Sequence, residues 1–173
     1  MELDMRNVSL AACLFALTPG LVAHAETPSE RIVRLAPVLA GASKASSQEK
    51  RQGIQQLLEI QGVSRLGVDL LFDRANANHE ADPMVRREAT LGIPALCDLR
   101  NRVYALRLAR YASAEREPDP QVRIAALQGL ARFECGDAAA RILASTTEAG
   151  EPDPSVRVFA NALMAKGVAS SPY

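Results

Sequence analysis

"EPDPQVRIAALQGL" at residues 117–130 and "EPDPSVRVFANALM" at residues 151–164 are near-copies of one segment, 34 residues apart. A third copy lies 37 residues upstream, so that Asp82-Pro83-Met84-Val85-Arg86 aligns with Asp119-Pro120-Gln121-Val122-Arg123 and Asp153-Pro154-Ser155-Val156-Arg157. Each copy continues with an alanine four residues after the valine (Ala89, Ala126, Ala160) and with Ile93, Leu130 or Met164 four later. Apolar residues at i, i+4 and i+8 occupy one face of a helix. An Asp carboxylate accepts the orphan amide protons of a helix start, and Pro at the next position has no proton to lose and a preset φ. Asp82, Asp119 and Asp153 are therefore expected helix caps.

A degenerate copy fits further upstream in "SQEKRQGIQQLLEI", with Ser47 standing for the Asp and Ile54 for the alanine. Second helices are expected from Ser64, from Asp98 ("DLRNRVYALRLARYAS") and from Asp137 ("DAAARILAS"). Ahead of the repeats, Thr27, Pro28 and Glu30 form a capping box. The pattern predicts an all-α chain of about eight helices, a right-handed α-solenoid of antiparallel pairs. Its divisions are a leader at 1–25, a capping helix at 26–45, repeats over 46–168 (46–81, 82–118, 119–152 and a partial 153–168) and a tail at 169–173. One helix pair cannot bury its apolar face alone, and stacking near-copies makes a continuous core. The repeated Arg is expected beside the preceding repeat's Asp.

The recurring D-P-x-V-R-x-x-A motif resembles the HEAT-like repeat, in the short form named after phycobilisome lyases, over residues 47–166. HEAT-like arrays serve as scaffolds, adaptors and enzyme subunits alike, so the resemblance speaks for the fold more than for a function. It also implies that second helices line a concave surface.

Twenty basic and twenty acidic side chains balance, and the pI is near 6.7. No global field favours nucleic acid, and any charge-driven binding must be local. Residues 1–25 differ from the rest. An apolar run leads to Ala23-His24-Ala25, the small-x-small pattern of signal cleavage, with Glu26 as the first mature residue. Glu2 and Asp4 depart from the usual positive start, which leaves translation from Met1 or Met5 open. The run is short for a membrane span and is broken by Pro19-Gly20. "LAAC" at residues 10–13 resembles a lipobox that would lipidate Cys13, and a retained N-terminal helix is a third option. The expected location is periplasmic or secreted.

Catalytic signatures are sparse. His79 is the single histidine after the leader and lies in the loop "NANHEADP", with little shelter for a triad. No Gly-rich phosphate cradle, HExxH or GxSxG occurs, and the cysteines and His79 lack zinc-ligand spacing. Asp69 and Asp73 share a helix face, as carboxylates on solvated faces commonly do. Cys97 and Cys135 fall 15 and 16 residues after their repeat Asp, on the same edge of the stack. Equivalent positions of stacked helices lie about 10 Å apart, beyond a disulfide's Cα separation of about 4.4–6.8 Å. The one-residue offset could close that gap, so a disulfide and a pair of buried thiols both stay open.

The segment 99–113 holds Arg100, Arg102, Arg107 and Arg110 and no acid. On a continuous helix Arg100, Arg107 and Arg110 share one face within about 80°, opposite Ala105, Leu108 and Ala109. Two explanations compete: a partner-binding basic groove, or an inter-repeat ladder with Asp69 or Asp73. The leading reading is a non-catalytic exported scaffold that binds a protein or peptide, with acidic groups, through Arg100, Arg107 and Arg110. It needs no cofactor, metal or nucleic acid, and meets a membrane only through a retained or lipidated N-terminus. The alternatives are an enzyme or enzyme subunit like the bilin lyases, implied by the resemblance, and a structural subunit tethered at Cys13 or by an uncleaved N-terminus.

Overall fold

The Asp-Pro pairs mark three helix starts in the computed structural model, which describes residues 26–60, 62, 64–134, 144 and 150–166. The described residues form seven α-helices and no strand: α1 (Pro28–Leu39), α2 (Ser47–Leu58), α3 (Arg65–Ala75), α4 (Pro83–Leu96), α5 (Arg102–Ala109), α6 (Pro120–Leu130) and α7 (Pro154–Ala165). A single turn of 3-10 helix, Arg110–Ala112, follows α5. The chain is all-α over this extent. The leader with Cys13, Ala23 and Ala25, the segment expected to be helical from Asp137, Cys135 and the tail 169–173 lie outside the described residues.

Each Asp sits at an N-cap in extended backbone. Asp82 accepts the Met84 N–H at 2.8 Å. Asp119 accepts those of Gln121 at 2.8 Å and Val122 at 3.2 Å, and Asp153 those of Ser155 at 2.8 Å and Val156 at 3.4 Å. Asp119→Ala should therefore cost about 0.5–2 kcal/mol, while Pro120→Ala, which loses only a preset φ, should be mild. Chemical denaturation of the two variants checks this, and equal losses would remove the capping argument.

Two starts differ from the sequence reading. In the degenerate first copy the cap is Ser46, not Ser47: its hydroxyl accepts the Glu49 N–H, and the Glu49 carboxylate accepts the Ser46 N–H at 2.7 Å. The alignment shifts by one, so Lys50 takes the place of the repeat Arg and Gly53 that of the alanine. The second difference is at Asp98, which holds a turn instead of capping a helix. Its carboxylate accepts the Arg100 N–H at 3.0 Å and its carbonyl the Asn101 N–H at 2.9 Å. Asn101, three residues on and equally suited to a cap, accepts the Val103 N–H at 2.9 Å and starts α5. Local hydrogen bonding of Asx side chains thus takes a full turn away from the expected helix.

The repeated Arg reaches forward, to a glutamate of the next copy, and not back to the preceding Asp. Arg86 forks the Glu117 carboxylate through Nε at 2.9 Å and Nη2 at 2.8 Å, and Arg123 forks Glu151 at 2.9 and 2.7 Å. The remaining nitrogen, Nη1, donates to two carbonyls of its own repeat's turn, those of Glu80 and Ala81 for Arg86 and of Glu117 and Pro118 for Arg123. Each glutamate also accepts the N–H of the capping Asp two residues later. One buried carboxylate therefore closes its own turn and bonds the preceding repeat. At the first junction Lys50 and the fully buried Arg74 share Glu80, at 2.9 and 2.7 Å. Burial pushes the Glu80 carboxyl upward, but the Asp82 N–H, Lys50 and Arg74 outweigh it and hold the group below its ordinary value.

The apolar stripes fill the space between these junctions. Val85, Ala89 and Ile93, then Val122, Ala126 and Leu130, then Val156 and Ala160, are fully buried. Helix α4 packs on α2, α3 and α6, and α6 packs on α5 and α7, while α1 packs on α2 and α3. Close approach needs a small residue at Gly129, where an added Cβ would lie 2.7 Å from Leu108 Cδ2.

Candidate functional site

Two outward stripes meet where side chains of α3 reach those of the α5 segment. On α3, Leu66, Asp69 and Asp73 recur at i, i+3 and i+7; Val103, Leu106 and Arg107 of α5, with Arg110 just past its end, follow at i, i+3, i+4 and i+7. Val103 is 63% exposed and Leu106 45%, with Leu66 similarly open. Beneath them Phe72 is buried, its ring 6.1 Å from that of Tyr104 and 6.2 Å from that of Tyr111. The Tyr111 hydroxyl donates to the Phe72 carbonyl at 3.0 Å, and burial pushes that phenol above its ordinary value. Aromatic packing therefore fixes the two stripes relative to each other.

The three arginines have different surroundings. Arg107 donates to Asp69 at 2.7 Å, and its guanidinium carbon lies 4.0 Å from the centroid of the Phe72 ring. That is the inter-repeat pairing. Arg100 lies in the turn ahead of α5 and bonds Asp98 at 3.3 Å, so it does not share a helical face with the other two. The Arg100 N–H and guanidinium hold the Asp98 carboxyl below its ordinary value. Arg110 is exposed at the start of the 3-10 turn, with no ion pair among the described residues.

Cys97 ends α4 and is buried, which pushes its thiol up to about 11 and leaves little thiolate at neutral pH. Its pairing with Cys135 falls outside the described residues. His79 is half-exposed, with Nδ1 3.6 Å from Asp73. Among the described residues no cluster of three or more His, Cys, Asp or Glu side chains could hold a metal, and no helix is long and apolar enough to cross a membrane. A separate groove of about 650 Å³ runs along α2, lined by Gln48, Arg51, Gln52, Gln55, Gln56 and Glu88. Arg51 and Glu88 pair across it at 2.6 Å, and the four amides add neither a nucleophile nor a titrating group.

The glutamates Glu80, Glu117 and Glu151 and the Phe72 platform were not read from the sequence. The first had a visible signal, because Glu stands two residues before Asp in all three copies. Compared with family models, curated proteins and solved structures, the chain matches none.

Proposed function

We propose that the chain is a non-catalytic HEAT-like scaffold, a right-handed solenoid of antiparallel helix pairs, that binds a protein or peptide on the α3–α5 face. The observation that carries this reading is the exposure of Leu66, Val103 and Leu106 on two helices joined by side-chain contacts, beside Arg110, which has no ion pair among the described residues. Exposed apolar side chains on neighbouring elements, flanked by charge, are what a partner can desolvate. Arg is suited to fork a carboxylate at the edge of such a patch. The forward Arg-Glu junctions support the solenoid reading, since two successive copies bond the next in the same way. Export to the periplasm or outside the cell completes the proposal, and intact mass after expression in a secreting host tests cleavage after Ala25.

The experiment places a photo-crosslinker at the exposed Leu66 and compares capture by the otherwise unaltered chain with that by Val103→Ser/Leu106→Ser/Arg110→Gln carrying the same crosslinker. All three side chains are exposed, so the melt should move by no more than about 0.5 kcal/mol. Crosslinked product should vanish in the triple variant and weaken with salt in the wild type. Undiminished capture by the folded variant would remove this face from consideration.

A further inference from the structure

Arg157 reproduces half of the geometry seen at Arg86 and Arg123. Its Nη1 donates to the Glu151 carbonyl at 2.6 Å and the Pro152 carbonyl at 3.0 Å, in the same relation to its turn as the other two. In Arg86 and Arg123 the opposite edge, Nε with Nη2, forks a glutamate of the next copy. At Arg157 that edge has no partner among the described residues, and the side chain is partly exposed. The surface around it is open as well. Asn161 is exposed where its counterparts Thr90 and Leu127 are fully buried, and Val158 is 69% exposed.

We propose that Arg157 is a preformed receptor for a glutamate side chain carried on a Glu-x-Asp turn of another polypeptide, docked against α7. The occupant's chemistry comes from the molecule itself, which uses the same fork twice, each time for a glutamate two residues ahead of a capping Asp. Two anchoring bonds already fix the guanidinium, so less side-chain freedom is lost when the carboxylate arrives. A second copy of the chain is a poor occupant. In its first repeat the position two residues ahead of the cap, Ser46, is Lys44, which is exposed, and stacking that repeat on α7 would bring cation against cation. This receptor is separate from the α3–α5 face, and its loss would leave that face untouched.

The test observes arginine Nε–H signals of the isotopically labelled full chain by NMR during titration with a blocked heptapeptide, Glu-Pro-Asp-Pro-Gln-Val-Arg. The Arg157 signal should shift and saturate, and a peptide with Gln in place of the leading Glu should bind at least about ten-fold more weakly, as expected for a charge-assisted fork. Arg157→Gln should abolish the interaction, and Arg157→Lys should weaken it several-fold because an ammonium cannot fork. An unmoved Arg157 signal, or equal binding of the Glu and Gln peptides, overturns the proposal even if a variant folds poorly. Concentration-dependent self-association of the unliganded chain, accompanied by the Arg157 shift, would overturn it in favour of a second copy.

Discussion

Glu117→Ala is expected to destabilise the chain by about 3–5 kcal/mol, the usual cost of removing one partner of a buried ion pair. Glu117 is fully buried and Arg86 nearly so, and the carboxylate accepts two guanidinium bonds and the Asp119 N–H. Its removal leaves a buried cation whose remaining bonds are to the Glu80 and Ala81 carbonyls, together with an unsatisfied amide. The same argument gives exposed pairs little weight. Glu26→Ala, which breaks a solvated pair with Arg34, should leave the stability nearly unchanged. A paired replacement separates attraction from stranded charge. Arg86→Met with Glu117→Leu removes both charges, and should recover most of the loss in urea melts. A single variant within about 1 kcal/mol of wild type would mean that the fork is not what bonds α4 to α6.

That junction also shows what could be read from the sequence. The helix starts and the buried stripes follow from Asp-Pro pairs and from i, i+4, i+8 spacing, because both are set by bonds within one or two turns. The direction of the repeated Arg is not local. The expected partner was the Asp of the preceding repeat, but each of those carboxylates is already committed to the amides of its own helix start. The glutamate of the next copy remains available to the guanidinium. Arg100 was misplaced for a related reason. Asp98 and Asn101 are both competent caps, and periodicity alone does not rank them when the intervening Leu99 and Arg100 fit a helix or a turn. The Phe72 platform was hidden because contact between α3 and α5 depends on how successive repeats stack, which no spacing along the chain encodes.

Phe72→Ala carries the second large effect, an expected loss of about 3–5 kcal/mol for a buried phenylalanine cut back to a methyl. The ring is 2% exposed and touches both tyrosines of the α5 segment. Aromatic pairs add about 0.5–1.5 kcal/mol each beyond area. The Arg107 guanidinium over the ring face adds about 0.5–1 kcal/mol for a site that is not fully desolvated. Phe72→Leu keeps most of the volume and loses only the π contacts, so about 1–2 kcal/mol should go. A double-mutant cycle with Arg107→Gln should return a coupling energy for Phe72→Ala, because guanidinium and ring are in direct contact. The same contact separates the two arginines in the proposed binding role. Arg107 is held to Asp69 and Phe72, so Arg107→Gln should lower stability and spare capture by the folded fraction, whereas Arg110→Gln should do the reverse. If chemical melts place Phe72→Ala within about 1 kcal/mol of wild type, the aromatic platform does not set the spacing of the two stripes. The α3–α5 face would then have no rigid base on which to present Val103 and Leu106.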